Sequence, residues 1–384
     1  DGTLAPQLLD QNQKVSYELA FCVAELEASA ALLDYAVSID TETDLCARVA
    51  LVFCAETIRS TWQRLLSHAQ ELGLQSTELL TLMGTDLFVG FLDSHGDVKQ
   101  LAQIGAELLD RGNARLPTGL GEEKDLVRES FSRFADDVVM PKAESIHRFD
   151  TDIPDALIEA AAAMGCFGTC IPEQFGGLMP DDRHDSLGML VVTEELSRGS
   201  LGAAGSLITR PEIAARALLH GGTEAQKLKF LPQLAAGQML AAISITEPDY
   251  GSDVASLSLK ASSTDNVWVL NGAKTWCTFA GKADVIVVIA RTDPDRKKGH
   301  RGLSMFMVEK PRFEGHEFSY DNPAGGRLIG RAIPTIGYRG MHSFDLSFTD
   351  YAVPNEALVG EDNGQGQGFY LTMAGLSGGR IQTA

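Results

Sequence analysis

The chain has 384 residues, 44% of them apolar and 22% charged, which is the balance of a folded globular protein too long for one ordinary domain. Its net charge of −20 excludes a nucleic-acid partner, because phosphate binding needs a basic face; a polyanion can still be held in a local basic pocket. The longest apolar runs, such as residues 283–290 with Asp284 inside, fall short of the ~20 residues of a membrane span. No basic segment followed by an apolar stretch opens the sequence, so a cytoplasmic protein with no membrane partner is expected.

Residues 1–113 carry helical spacing with little strand signal. Within residues 45–72, Val49, Val52, Phe53, Ile58, Trp62, Leu65 and Leu66 recur mostly three to four apart, which predicts one buried stripe in a helical bundle. Residues 114–122 belong to a Gly- and Pro-rich stretch (RGNARLPTGLGE) that breaks the period and reads as a linker. A second helical domain spans 123–240. Val127, Phe131, Phe134 and Val138 share one face, and Pro141 is expected to stop that helix. Further helices are predicted over 155–164, 186–196 and, after the Gly221-Gly222 turn, 224–231. The six cysteines form no C-x-x-C pair and sit among apolar residues, the pattern of buried thiols in a reducing compartment; no metal site is expected.

From 241 to 355 the apolar period shifts toward two, as in Leu257/Leu259, Val267/Val269, Leu303/Met305/Met307 and Phe344/Leu346/Phe348. This predicts an antiparallel β domain, with Asn271-Gly272 as a hairpin turn. Residues 356–384 return to helix after the glycine-rich run 364–368 (GQGQG), which lacks both the G-x-G-x-x-G spacing and a preceding strand of a dinucleotide fold. An amphipathic helix starting near Gly368 and ending at Ala384 would leave its core face open, so further sequence downstream is expected. The fold class is α+β: a helical N-terminal extension, a helical domain, a central antiparallel β domain, and the start of a C-terminal helical bundle.

Two motifs carry the chemistry. Residues 243–253 read ISITEPDYGSD, and residues 270–279 read LNGAKTWCTF. In order and separation they resemble the two signatures of the acyl-CoA dehydrogenase family, ITEP-x-x-GSD and NG-x-K-x-W-I-T-N, and the resemblance extends over residues 123–384. It implies FAD as cofactor and an acyl-CoA substrate that loses hydrogen from Cα and Cβ. It also implies electron-transfer flavoprotein as electron acceptor and a homodimer or homotetramer. Ile243, Ile245 and Thr246 would line the flavin edge, Trp276 and Thr278 would contact the flavin, and Gly251 and Ser252 would lie near the pyrophosphates. A reduced flavin needs donors at its N5 and O4 edge and a flat wall, which strand-end Thr and Trp residues can provide. On the residues alone, Thr246 also reads as a strand-end hydroxyl, Trp276 as a core aromatic and Gly251-Ser252 as a turn.

By the same resemblance Ser377 and Arg380 match acyl-CoA contacts, and His300 is a candidate for a CoA phosphate; as bare residues they read as solvated helix and hairpin positions. The family's base is a carboxylate on a later helix, with a minority position that falls here on Gly379, which has no side chain. The catalytic base is therefore expected beyond Ala384, and Glu247, before Pro248, suits a structural role. The N-terminal extension and the loop 336–343 (IGYRGMHS) resemble family members acting on methylsuccinyl-CoA in the ethylmalonyl-CoA pathway. Such a substrate carries a distal carboxylate whose burial requires a cation or dense donors. Arg210 is the first candidate and Arg339 the second, with His342 able to orient a carboxylate or the flavin; an exposed helix-end arginine and a hydrogen-bonded loop histidine are the plain alternatives. Another short or branched acyl-CoA, an acyl-CoA oxidase, or a non-catalytic scaffold of the same fold stand as rival readings.

Overall fold

The computed structural model describes residues 6–39, 44–112, 116–264 and 267–383, in two compact units, Asp1–Gly121 and Glu122–Ala384. The first unit contains α1 (Pro6–Gln11), α2 (Gln13–Ser38), α3 (Leu45–Ser67), α4 (Ser76–Met83), α5 (Asp86–His95) and α6 (Val98–Arg111). The fully buried face of α3 consists of Leu45, Cys46, Ala50, Val52, Cys54, Ala55 and Thr57, while Phe53, Ile58, Trp62, Leu65 and Leu66 stay only partly buried. Of the predicted stripe, Val52 is fully buried and Val49 packs against the same small core, so the stripe is buried only at its N-terminal end. Small side chains let α2 approach closely there, and polar ties hold the pair: Arg64 to Glu18 and Ser60 Oγ to Glu25 at 3.2 Å. Asp97 caps α6 by accepting the Lys99 N–H, satisfying one of the orphan donors of its first turn.

The second unit opens with α7 (Glu122–Phe134), α8 (Met140–Phe149), α9 (Asp155–Ala163), α10 (Ser186–Ser200), α11 (Thr209–Gly221) and α12 (Glu224–Ala235). Pro141 does not stop the first of these helices. A π-helical turn over Ala135–Val139 joins α7 to α8, and Pro141 falls in the first turn of α8, where the amide that proline lacks has least to lose. Thr223 and Gln226 form a reciprocal capping box at the start of α12.

The strands are β1 (Ala241–Ser244), β2 (Lys260–Thr264), β3 (Val267–Thr278), β4 (Val285–Arg291), β5 (Leu303–Glu309), β6 (Glu317–Asp321), β7 (Arg327–Ala332) and β8 (Ser343–Pro354). They form one sheet in the order β1-β4-β2-β3-β8-β7-β6, with β5 also on β4. The long ladders are antiparallel, but β1 runs parallel to β4, so the sheet is mixed. Asn271-Gly272 is not a hairpin turn: β3 runs straight through it, with a register shift against β8 between Leu270 and Gly272. Gly272, at φ 141, presses against the Leu259 backbone, and Asn271 exchanges two hydrogen bonds with Asp350. The dipeptide makes a bulge, a use of Asn-Gly that needs the same conformational freedom as a turn.

Every residue of β4 is buried. Val285, Val287 and Ile289 face a core shared with α11 and α12, and Ile286, Val288 and Ala290 face a second core behind the sheet, which explains the unbroken apolar run. The last helix, α13 (Gly368–Thr383), packs on α11. Added Cβ atoms at Gly375 and Gly378 would meet Ile213 and Glu212 at 2.8 and 1.9 Å, so glycine permits the close approach.

Candidate active site

The two motifs lie side by side and are cross-linked. Thr275 N donates to Thr246 O at 2.9 Å, Lys274 Nζ donates to Ile245 O at 2.7 Å, and the Cys277 thiol reaches Ser244 Oγ at 3.1 Å. Lys274 also meets Glu247 Oε1 at 2.9 Å, both side chains being almost wholly buried. Glu247 further accepts from Ser258 N and Oγ and from Leu259 N, at 2.7, 2.7 and 2.8 Å. Burial opposes ionisation of Glu247, but the Lys274 ammonium and these donors outweigh it and hold the carboxyl below its ordinary range. Burial in turn draws the Lys274 ammonium down. Glu247 is thus a structural anion that knits the motifs together, and burial pushes the Cys277 thiol up to about 12, leaving no reactive thiolate.

On this frame β3 slips register against β8 between Lys274 and Cys277. Trp276 and Phe279 adopt left-handed backbone, φ 57 and 70, a strained conformation for bulky residues. The consequence is local: Lys274 and Cys277 point inward, while Trp276 is 56% exposed. Trp276 is therefore not a core aromatic. Ile243, Ile245 and Thr246 are half-buried, and Thr278 Oγ1 lies 2.8 Å from Ser343 Oγ. Gly251 and Ser252 are exposed, and a Cβ at Gly251 would meet nothing within 4 Å. An exposed aromatic face, adjoining hydroxyls and an open glycine turn fit the flat ring and pyrophosphate of FAD. Beside the first motif a cavity of about 500 Å³ is lined by Ser258, Lys260, Arg291, Thr292 and Arg296 among others, a local basic pocket in an acidic chain.

The remaining candidates are scattered. Arg210, at the start of α11, is half-buried; its guanidinium donates to Ser206 O at 3.2 Å and lies 5.9 Å over the Tyr338 ring. No carboxylate pairs with it among the described residues. Arg339 is engaged by the α8 end, donating to His147 O at 2.9 Å with Asp150 at 3.4 Å. His342 is 5% exposed, its two ring nitrogens on Asp152 and Asp150 at 3.0 and 3.2 Å. His300 Nε2 contacts Tyr370 OH at 3.1 Å, on the first turn of α13. Ser377 bonds back to Ala374 O, and it and Arg380 are exposed. Gly379 has ordinary space beyond it, with Ile213 and Thr209 at 3.4 to 3.5 Å from an added Cβ.

Three carboxylates were not legible as partners. Asp150 and Asp152 find their histidine about 190 positions away. Glu212 on α11 is fully buried on Arg216 at 2.6 Å, with its second oxygen unpartnered among the described residues; burial raises its carboxyl above the ordinary range. The only trace of the last pair in the sequence is the i, i+4 spacing of Glu212 and Arg216.

Residues 121–238 match the family model "Acyl-CoA dehydrogenase, N-terminal domain", and residues 242–351 match "Acyl-CoA dehydrogenase, middle domain". The chain is 35% identical over its whole length to (2S)-methylsuccinyl-CoA dehydrogenase of Cereibacter sphaeroides, spanning 69% of that protein. Over 68% of the chain it is 32% identical to an acyl-CoA dehydrogenase of Bacillus subtilis (strain 168), spanning 64% of it. Among solved structures, a glutaryl-coenzyme A dehydrogenase bound to glutaryl-CoA superposes with a TM-score of 0.61 at 28% identity, over 70% of this chain and 63% of that one.

Proposed function

We propose the substrate and the contacting residues for this chain, which belongs to the acyl-CoA dehydrogenase family of FAD-dependent oxidoreductases. The substrate is (2S)-methylsuccinyl-CoA, which loses a proton from Cα and a hydride from Cβ to give mesaconyl-CoA. Bound FAD supplies the hydride acceptor. Trp276 offers it a flat face, Thr278 a hydroxyl, Ile243, Ile245 and Thr246 an edge, and Gly251 and Ser252 room for the pyrophosphates. The CoA moiety is held by Ser252, His300, Ser377 and Arg380. Electron-transfer flavoprotein as acceptor, a homodimer or homotetramer, a cytoplasmic location and a place in the ethylmalonyl-CoA pathway complete the reading. No base is assigned among the described residues, because Glu247 is committed to Lys274 and Glu212 is sealed against Arg216.

Arg210 carries the substrate reading. A half-buried guanidinium with no carboxylate partner among the described residues is costly unless a ligand supplies one, and the relative matched over the whole chain is named for a substrate with a distal carboxylate. Arg339 is the weaker choice, being already paired with Asp150. The test is anaerobic addition of methylsuccinyl-CoA to the flavin-loaded protein. Loss of the oxidised-flavin absorbance supports the reading. Bleaching only by monocarboxylic thioesters sinks the dicarboxylic assignment, and oxygen consumption at the turnover rate replaces dehydrogenase by oxidase. In Arg210→Leu, KM for methylsuccinyl-CoA should rise about tenfold or more, the loss of one charge-assisted contact, while KM for 2-methylbutyryl-CoA stays near wild type.

A further inference from the structure

We propose that His342 is a positioning residue: held as an imidazolium between Asp150 and Asp152, it fixes the end of the flavin-contacting strand, so that the grip on FAD loosens as pH rises. The inference rests on the reading of Trp276 and Thr278 as flavin contacts.

The geometry of the ring demands the charge. Nδ1 lies 3.0 Å from Asp152 Oδ1 and Nε2 3.2 Å from Asp150 Oδ1. A neutral imidazole has a single N–H, so one nitrogen would turn its lone pair on a carboxylate; only the imidazolium donates to both. Neither acid is free to turn away. Asp152 Oδ2 accepts Gly315 N at 2.6 Å, and Asp150 sits in left-handed backbone at φ 53 with its carbonyl on His316 Nε2 at 3.0 Å. His342 itself is held at φ 34. Two strained non-glycine residues facing each other across one ion pair indicate that their surroundings enforce the contact.

The groups around the ring come from three segments. The stretch after α8 brings Asp150 and Asp152. The turn before β6 brings His316, whose ring stands edge-on 4.4 Å away, and Glu314, which is neutralised by Lys282 at 2.7 Å; Lys282 also holds Asp155 at 2.6 Å. The loop before β8 brings Arg339, 3.4 Å from Asp150. Burial opposes the imidazolium, but the two carboxylates outweigh it, and His342 titrates above its ordinary 6.5. Asp152 lies well below the usual carboxylate range, at about 2: burial opposes ionisation, and the bonds from His342 and Gly315 overcome it.

The latch reaches the flavin strand within one residue. Phe279 N donates to His342 O at 2.8 Å and to Met341 O at 3.0 Å. The next residue, Ser343, pairs with Thr278 in the ladder and shares a hydroxyl hydrogen bond with it at 2.8 Å. Releasing His342 therefore frees the carbonyl that anchors Phe279 and the hydroxyl that orients Thr278, two residues beyond Trp276. The sign follows from linkage: a group raised on folding stabilises fully below its unfolded value, 6.5 here, and that stabilisation is lost as pH rises through the higher folded value.

The test is the FAD dissociation constant of the full chain, followed by flavin fluorescence from about pH 5.5 to 9, the range where histidine charge changes. Wild type should weaken about tenfold on the alkaline side, with a midpoint above 6.5. His342→Gln should give a flat profile near the weaker plateau, and Asp150→Asn should keep the step but move its midpoint to lower pH, because it removes one of the two stabilising carboxylates. A flat wild-type profile, or a step that survives in His342→Gln, overturns the inference. Trp276→Ala separates the two levels. If it binds FAD as tightly as wild type at every pH, the flavin-contact reading falls and takes this inference with it; if it binds weakly while the wild-type profile is flat, the inference alone falls.

Discussion

Helix α2 and strand β4 show how differently the two units use apolar sequence. All seven residues of β4 are buried, because the strand has hydrogen-bonded neighbours in its plane and a core on each face. The 26 residues of α2 include only Cys22 and Ser29 as fully buried, while Tyr17, Leu19, Phe21, Val23, Leu26, Leu33 and Val37 are exposed. Its apolar residues are spread around the helix, and α3, the main neighbour packed along it among the described residues, can cover only a narrow stripe. The core cluster of the first unit is correspondingly small: Leu45, Val52 and Ile104, with Val49 and Leu116 packed against them. Apolar content alone therefore does not measure a segment's contribution; the number of surfaces available to cover it does.

Three substitutions break or sharpen that contrast. The largest effect is expected from Phe306→Ala on β5, fully buried and edge-on to Trp268 at 5.5 Å. Urea unfolding should show a loss of about 4 kcal/mol in the transition of the second unit. A loss below about 1 kcal/mol, of the size typical for an average point mutation, would remove the claim that this core is tightly packed. Next comes Lys274→Met, which keeps the volume but leaves Glu247 buried with its three remaining donors. It should cost about 3 kcal/mol and weaken flavin retention, since stripping one partner from a buried pair is worse than replacing both; unchanged stability would mean that the motifs do not depend on this pair. The smallest is Val37→Ser on α2, where 87% exposure predicts a change within about 0.5 kcal/mol. A cost above about 1 kcal/mol, comparable to deleting a buried methylene, would show that this face of α2 is covered in the folded protein and would overturn the comparison.

The sequence reading succeeded where local period and local chemistry agree. Helices α9, α10 and α12 begin where the sequence placed them, the last after the Gly221-Gly222 turn. It failed where a residue's effect depends on a partner it cannot name. Pro141 looks like a stop, but a π-helical turn absorbs its missing donor. Asn271-Gly272 looks like a hairpin, but β8 pairs on both sides of it and turns it into a bulge. In α3 the fully buried set mixes Leu45 and Val52 with small residues, while Phe53, Ile58, Trp62, Leu65 and Leu66 stay partly exposed.

For the candidate site the division is similar. The residues of both motifs were named from the chain, because their chemistry is contiguous. The strain at Trp276 that exposes its ring, and the partners of Arg339 and His342, were not legible, since ion pairs between positions about 190 apart leave no periodic trace.

By itself the sequence determined the order of helical and strand regions, which follows from short-range period, and the two contiguous motifs, whose resemblance to known signatures pointed to the family. Only the tertiary structure decided which charges are spent on one another. It buried Glu247 with Lys274 and Glu212 with Arg216, clamped His342 between two carboxylates, and among the described residues left Arg210 without one. The physical reason is that an ion pair's strength depends on distance and burial, and both arise only when remote segments pack.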